Sequence, residues 1–165
     1  MKYKIMIIFI LMGVLIVLSC SSKQIAVPDK SEQDRLALMM EALEGFVSDT
    51  PYCALIQYTS VDVVPIPDPD PNDDDVEEKH IYHAKVLETF HGQQLENISY
   101  TTIIEKGESA TISTEPVVIT LCVGKEGFLG LGTGSVYPAT EEVIKAARRI
   151  SQKVKSGKQS FSFCE

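Results

Sequence analysis

The chain has 165 residues, with 15 Lys plus Arg against 23 Asp plus Glu, and its formal net charge is −8. This length corresponds to one ordinary domain. The negative charge argues against nucleic acid or an anionic membrane surface as a partner, because recognition of phosphates requires a cationic field. With 44% hydrophobic residues, the chain is too apolar for a disordered acidic protein.

The start of the chain has the composition of an export signal. Lys2 and Lys4 precede an apolar run over residues 5–18. A hydrocarbon core needs roughly 20 helical residues, so this run is short for a membrane span and is interpreted as the apolar part of a signal peptide.

Residues 17–20, VLSC, resemble the lipobox of bacterial lipoproteins. The resemblance implies that residues 1–19 are a lipoprotein signal peptide and that Cys20 is acylated, with fatty acids such as palmitate, and becomes the new N-terminus. Removing two lysines changes the charge to −8 − 2 = −10. An ordinary export signal or a signal anchor with an incidental cysteine is the alternative.

The lipobox also implies a location. It predicts a protein of the bacterial cell envelope, attached to a membrane through the lipidated Cys20. Ser21 beside the cysteine resembles the pattern that sorts lipoproteins to the periplasmic face of the outer membrane, although the inner membrane stays open. Residues 20–30 are polar and contain Pro28, so they are interpreted as a lipidated tether.

Residues 31–165 are expected to form a single globular domain with a helix near each end. The apolar spacing predicts a first helix at residues 31–47 and a second at residues 138–155. The residues expected on the core-facing sides are Leu36, Met39, Met40 and Leu43 in the first helix and Val143, Ile144, Ala147, Ile150 and Val154 in the second.

Short strands are predicted between the helices. Residues 50–64, 80–90, 98–105, 117–123 and 128–131 are rich in β-forming residues and are separated by turns, and Thr111 with Ile112 is expected to add to a strand. Helices that would connect parallel strands are absent from residues 50–135. The predicted fold is α+β, a small antiparallel β-barrel (OB-like) flanked by an N-terminal and a C-terminal helix.

Three cysteines remain after Cys20, and an oxidising compartment favours their pairing. Cys53 and Cys122 lie in apolar runs that predict buried strands, and Cys164 lies in a tail of alternating apolar residues, expected to be a last strand or a docked extension. A disulfide that involves Cys122 is predicted, and its partner stays open between Cys53 and Cys164. A reactive thiol is disfavoured because apolar flanks raise a thiol pKa.

The acidic segment at residues 65–78 contains four prolines and predicts an exposed loop. Asp70, Asn72 and Asp74 have the alternate spacing of a calcium loop, but the segment lacks the glycine and the closing glutamate that such a loop uses. A solvated loop is the preferred interpretation, and weak calcium association is the alternative.

The three histidines, His80, His83 and His91, invite a zinc interpretation. On a strand, His80 and His83 point to opposite faces, and the helical pair of histidines with a glutamate that a zinc hydrolase uses is not found. They are predicted to be surface or loop residues. No metal and no cofactor are expected.

Two further patterns are considered for catalysis. Residues 130–135, GLGTGS, imitate a phosphate-binding loop, but the strand and helix order of a nucleotide site is missing, so a tight turn is predicted. Ser99 and Ser135 lack the strand-to-helix turn of a hydrolase nucleophile. No catalytic residue is assigned, and the chain is expected not to be an enzyme.

Residues 84–92, AKVLETFHG, resemble the outgoing strand and turn of the netrin-like module, which also occurs in tissue inhibitors of metalloproteinases. Residues 98–101 resemble the next strand, followed by Gly107 and Glu108 and by the apolar residues 117–121. The similarity covers about residues 52–135. It implies an OB-type barrel and a bias toward binding, without a catalytic residue.

The sequence therefore favours a lipid-anchored, non-enzymatic binding or interaction module of the cell envelope, with a protein as a possible partner. Tyr58, Tyr82 and Tyr100 are candidates for an aromatic binding face. One alternative is an envelope inhibitor or immunity protein that acts on a basic partner. The other is a metal-dependent envelope hydrolase that uses His80, His83 or the acidic loop.

Overall fold

The computed structural model describes residues 30–67, 77–132, 134–156 and 161–164. Cys20, the predicted signal peptide and tether, and the calcium-loop candidates Asp70, Asn72 and Asp74 lie outside these residues. None of the helices in the described ranges is both long and apolar enough to cross a bilayer.

The described chain is an α+β fold with a helix at each end of a sheet, as the sequence predicts. Its elements are α1 (Lys30–Asp49), β1 (Tyr52–Pro65), β2 (Glu77–His91), β3 (Asn97–Glu105), β4 (Val117–Gly124), β5 (Gly127–Gly130), β6 (Val136–Pro138), α2 (Glu141–Ser156) and a short 3-10 helix (Ser162–Cys164).

Five strands pair in a ring that is not a regular barrel. The order is β1-β2-β3-β5-β4, and β4 pairs again with β1. The pairings are antiparallel except for β3 with β5, which is parallel and brief. Register shifts interrupt the β1–β2 pairing at three places, one of them between Tyr58 and Ser60. These irregularities bend the two long strands around the ring.

Alternation along β1 divides the core into two parts. Tyr52, Ala54 and Ile56 point into the ring, where they pack with residues of the other strands. Cys53 and Leu55 point outward and pack with residues of α1 and α2. Strand β4 is buried on both faces from its first residue to Cys122, because the ring interior covers one face and the helices cover the other.

Helix α2 is held by one buried face and by a capped N-terminus. Its residues Val143, Ala147, Ile150 and Val154 are buried, as predicted. The Thr140 hydroxyl accepts a hydrogen bond from the Val143 amide at 3.3 Å and caps the helix. Pro138, the predicted helix start, instead pairs with Val117 as the end of β6.

Helix α1 contributes less to the core than its spacing predicts. Leu43 and Val47 are fully buried, and Met39 and Met40 pack at the edge of the core. Leu36 is 48% exposed, so the expectation that it faces the core is wrong. The buried side of α1 therefore begins one turn later than predicted.

The tail is attached as a docked extension. Cys122 and Cys164 form a disulfide, which confirms that a bond involves Cys122. Cys53 is a free, buried cysteine. Phe163 stacks on Phe46 of α1, with ring centroids 4.9 Å apart. The tail forms a 3-10 turn against β4 and α1, not a strand.

Candidate functional site

A cavity of about 420 Å³ opens at one end of the ring. It lies where β4 begins, and beyond that point only β1, β2 and β3 continue. Past the first residue of β4, the inward-facing side chains of β1, β2 and β3 are no longer enclosed by the ring, so they meet solvent here. Mouths of β-barrels are a common place for ligand sites.

We call this cavity the tyrosine pocket. Its lining combines three tyrosines with hydroxyl, aliphatic and glycine residues and a single carboxylate. In that order they are Tyr58, Tyr82, Tyr100; Thr102, Thr111, Ser113, Ser135; Ile104, Val117, Val136; Gly130, Gly132, Gly134; and Glu108. No Lys, Arg or His is among the described residues that line it.

The three predicted tyrosines are brought together by strand register. Tyr82 and Tyr100 are direct partners on β2 and β3, and their rings stack with centroids 5.1 Å apart and planes 14° apart. Tyr58 of β1 tilts against Tyr82 at 5.8 Å. The hydroxyl groups of Tyr58 and Tyr100 are hydrogen-bonded at 2.8 Å.

Burial keeps these phenols protonated. Desolvation raises the pKa of Tyr58 and the pKa of Tyr100 above the ordinary value. It also raises the pKa of Tyr82, and the negative charge of Glu108 adds to that rise. The pocket therefore presents neutral rings and hydroxyl groups with Glu108 near Tyr82.

A missing side chain makes room for Tyr100. A Cβ at Gly130 would lie 2.5 Å from Oγ1 of Thr102 and 3.0 Å from the Tyr100 ring. The glycine of β5 thus permits the ring to pack against the strand. The sequence predicts a tight turn at residues 130–135 but does not indicate that Gly130 makes room for an aromatic ring.

Gly132, Gly134 and Ser135 line the rim of the pocket in the segment where a tight turn is predicted. The Ser135 amide and its hydroxyl both donate to the Gly132 carbonyl, at 3.4 and 2.9 Å. Gly132 and Gly134 have positive φ angles, which glycine adopts readily. Thr111 also lines the pocket and lies in a loop, so the prediction of a strand at Thr111 and Ile112 is wrong.

A second cavity of about 540 Å³ adjoins the first between β6 and the start of α2. It shares Ser113, Val117 and Val136 with the tyrosine pocket. Its walls are mostly aliphatic and proline side chains, and its ring is Tyr137. It therefore extends the concave surface, and Glu115 is the one acidic or basic residue among the described residues that line it.

The histidines occupy three different environments, and two of them contradict the prediction of surface residues. His80 is fully buried, its Nε2 lies 3.7 Å from a Glu78 carboxylate oxygen, and neither ring nitrogen has a hydrogen-bond partner in the described chain. His91 is also buried. Both lie in β2. Alternation along a strand does not by itself reveal which of its residues the rest of the fold buries.

His91 connects three elements of the core. Its Nε2 donates to the Thr50 carbonyl at 2.8 Å, and its Nδ1 lies 2.7 Å from the Ser151 hydroxyl. Since a carbonyl only accepts, Nε2 carries the proton and Ser151 donates to Nδ1. Burial lowers the pKa of His91 below 6.5. The role is structural.

His83 belongs to a Ser-His-Asp array on the exposed face of the strands. Its Nε2 donates to Asp62 at 3.0 Å and its Nδ1 lies 2.7 Å from the Ser99 hydroxyl. In a serine hydrolase the ring nitrogens serve the opposite partners. Ser99 lies within β3 and not on a turn, and none of the three residues lines either cavity. The hydrogen bonds of the array connect β1, β2 and β3, and its role is structural.

The described residues do not converge on a metal site. Within ranges 30–67, 77–132, 134–156 and 161–164, no group of three or more His, Cys, Asp or Glu side chains converges. His80 and His83 are not brought together. Asp70, Asn72 and Asp74 lie outside these ranges, so the solvated loop stays a prediction and weak calcium association its alternative.

A search of protein-family models found no match to the chain, and a search of curated proteins found no similar sequence. The chemistry of the tyrosine pocket is therefore the basis for a function.

Proposed function

We propose that this chain is a lipid-anchored, non-enzymatic binding protein of the bacterial cell envelope, with the tyrosine pocket as its binding site. The observation that carries the proposal is the convergence of Tyr58, Tyr82 and Tyr100 on one open cavity. Large rings with a polar hydroxyl group are well suited to contact a ligand, because they bury apolar area and keep a hydrogen-bonding tip.

The shape of the pocket supports binding. Its volume of about 420 Å³ falls in the range of small-ligand sites, roughly 300–1,000 Å³. The hydroxyl groups on its walls come from four residues in addition to the tyrosines: Thr102, Thr111, Ser113 and Ser135. A group of ligand size, or one side chain of a partner protein, is the object that such a cavity accommodates.

The envelope location follows from the lipobox at residues 17–20. Acyl chains on Cys20 would hold the domain stably without a basic membrane-binding patch, in keeping with a net charge of −8. The netrin-like resemblance of residues 84–92 belongs to the same proposal, since it implies a bias toward binding.

Photocrosslinking from the pocket tests the proposal. A photoreactive phenylalanine analogue replaces Tyr82 in the full chain, expressed with its leader in a bacterium. The control places it at Leu87, which is on the same strand, is 47% exposed and does not line the pocket. We expect a discrete envelope product from position 82 and not from position 87. Equal products from both positions, or none from 82, would refute the binding role.

One alternative has its own support. An inhibitor or immunity protein for a basic partner would use the excess of 23 acidic over 15 basic residues for electrostatic steering. In that case the crosslinked product is a basic protein, and its yield falls steeply as salt rises from low to high ionic strength. A product whose yield is insensitive to salt counts against this alternative.

A further inference from the structure

The charge of the tyrosine pocket is one-sided. Of the ionisable groups on its walls, the phenols are neutral and Glu108 is the carboxylate. No cationic side chain lines it among the described residues. An anionic ligand would meet a negative charge with no compensating donor of positive charge, whereas a cation would gain a partner.

The strands next to the pocket carry further acidic groups. Glu77 and Glu105 are direct partners at the ends of β2 and β3, and like charges in such a position are destabilising. The Glu108 amide donates to the Glu105 carbonyl across the turn, at 3.3 Å. Lys79 on this ribbon is paired with Glu126, and Lys106 lies in the turn without lining the cavity.

The aromatic walls complement this charge. The face of an aromatic ring carries negative potential and attracts an ammonium group within about 6 Å of the ring centre. Tyr100 is covered on one side by Tyr82, and Tyr82 and Tyr58 are the half-buried rings of the group. The exposed parts of these two rings and the Glu108 carboxylate therefore all present negative electrostatic potential to the pocket.

We propose that the tyrosine pocket binds an organic ammonium group, held against the rings of Tyr82 and Tyr58 and paired with the Glu108 carboxylate. The inference rests on the proposed binding function and names the chemistry of its ligand. Two sources supply such a group: a small quaternary ammonium compound or a lysine side chain of a protein. Phosphates, nucleotides and other anions are excluded from the site by the same charge argument.

The test compares choline with its uncharged isostere 3,3-dimethylbutan-1-ol, and a lysine side-chain mimic, Nα-acetyl-lysine methylamide, separates the two sources. Binding to the full chain in detergent is followed by NMR of ring-labelled tyrosine. We expect choline or the lysine mimic to shift the Tyr82 and Tyr58 signals with an affinity about tenfold above that of the isostere. Equal affinity for the isostere, or no binding of either cation, would overturn the proposal.

Variants separate charge from ring. Glu108→Gln should weaken cation binding severalfold and leave the isostere unchanged, while Glu142→Gln, an exposed acid in the first turn of α2, should change neither. Tyr82→Phe keeps the ring and should retain binding, and Tyr82→Leu should lose most of it. Unchanged cation binding in Glu108→Gln refutes the ion pair. If crosslinking from position 82 persists while no cation binds, the binding function stands and the ammonium proposal fails.

Discussion

His91 is held neutral by its place in the core. Both ring nitrogens are hydrogen-bonded inside the protein, and desolvation lowers its pKa from 6.5. The unfolded chain therefore binds more protons than the native state once the pH falls below about 6.5. Stability is highest above that pH and is lost as the pH falls toward the lowered native pKa.

His91→Gln tests this dependence because glutamine offers a donor and an acceptor but no titration near neutral pH. We expect the variant to be less stable at pH 7.5 and to lose less additional stability between pH 7.5 and 5 than the original chain. Denaturant unfolding at several pH values measures this. Ser151→Ala keeps the imidazole and should keep a pH slope. An identical slope with and without the imidazole would contradict the account.

Gly130 controls the packing of Tyr100. In Gly130→Ala the new Cβ would approach Thr102 and the Tyr100 ring too closely, and such overpacking costs about 1–3 kcal/mol of unfolding free energy. Since Tyr100 supports Tyr82, ligand-induced shifts of the tyrosine signals should weaken as well. Unfolding curves and the NMR titration measure both effects, and a variant unchanged in both would show that the pocket tolerates this shift.

Helix α1 carries a glycine that its packing does not need. An added Cβ at Gly45 meets nothing within 4 Å, and glycine inside a helix costs roughly 0.5–1 kcal/mol relative to alanine. Gly45→Ala should therefore raise the free energy of unfolding by about that amount, the opposite sign to Gly130→Ala. Denaturant unfolding measures it, and a loss of stability would mean that the space beside α1 is filled.

The C-terminal tail is held by one covalent bond. Cys122 and Cys164 are 42 residues apart in sequence, and closing a loop of this kind stabilises a protein by typically 2–4 kcal/mol. Replacing both cysteines with alanine should lower the unfolding free energy by about this amount and free Phe163 from Phe46. Reductant should destabilise the original chain and leave the variant unchanged; equal stability of both chains would contradict the prediction.

Sequence patterns predicted elements whose burial is local and periodic. Helix α2 is predictable because one of its faces is apolar along its whole length. Strand β4 is predictable because almost all of its residues are apolar. Thr111 and Ile112 were mistaken for a strand because two β-forming residues do not show whether a partner strand lies beside them. His80 and His91 were mistaken for surface residues because tertiary covering, not residue type, buries them.

The site was predicted in part. Tyr58, Tyr82 and Tyr100 were chosen as aromatic candidates, and alternation along each strand places them on inward faces. Their convergence depends on the register of β2 with β3 and on the bulge beyond Tyr58, which a single sequence does not specify. The sequence does not indicate a role for Glu108 in the site, because its approach to Tyr82 depends on the path of the loop after β3.

At the scale of the molecule, the proposals depend on where this acidic domain resides. The charge of −8 gives the chain no attraction to anionic lipid, and the proposed acyl chains on Cys20 would hold the tyrosine pocket near a membrane without a basic patch. Cys20, the proposed site of acylation, precedes the described residues, so a direct measurement of its chemistry tests the proposal.

Intact mass spectrometry of the protein purified from bacterial membranes provides that measurement. We expect the purified chain to start at Cys20 and to carry a diacylglyceryl group on its sulfur. We expect a Cys20→Ser variant to retain its leader. A product with Met1 intact, or with an unmodified sulfur at position 20, would contradict the assignment of this protein to a lipid anchor.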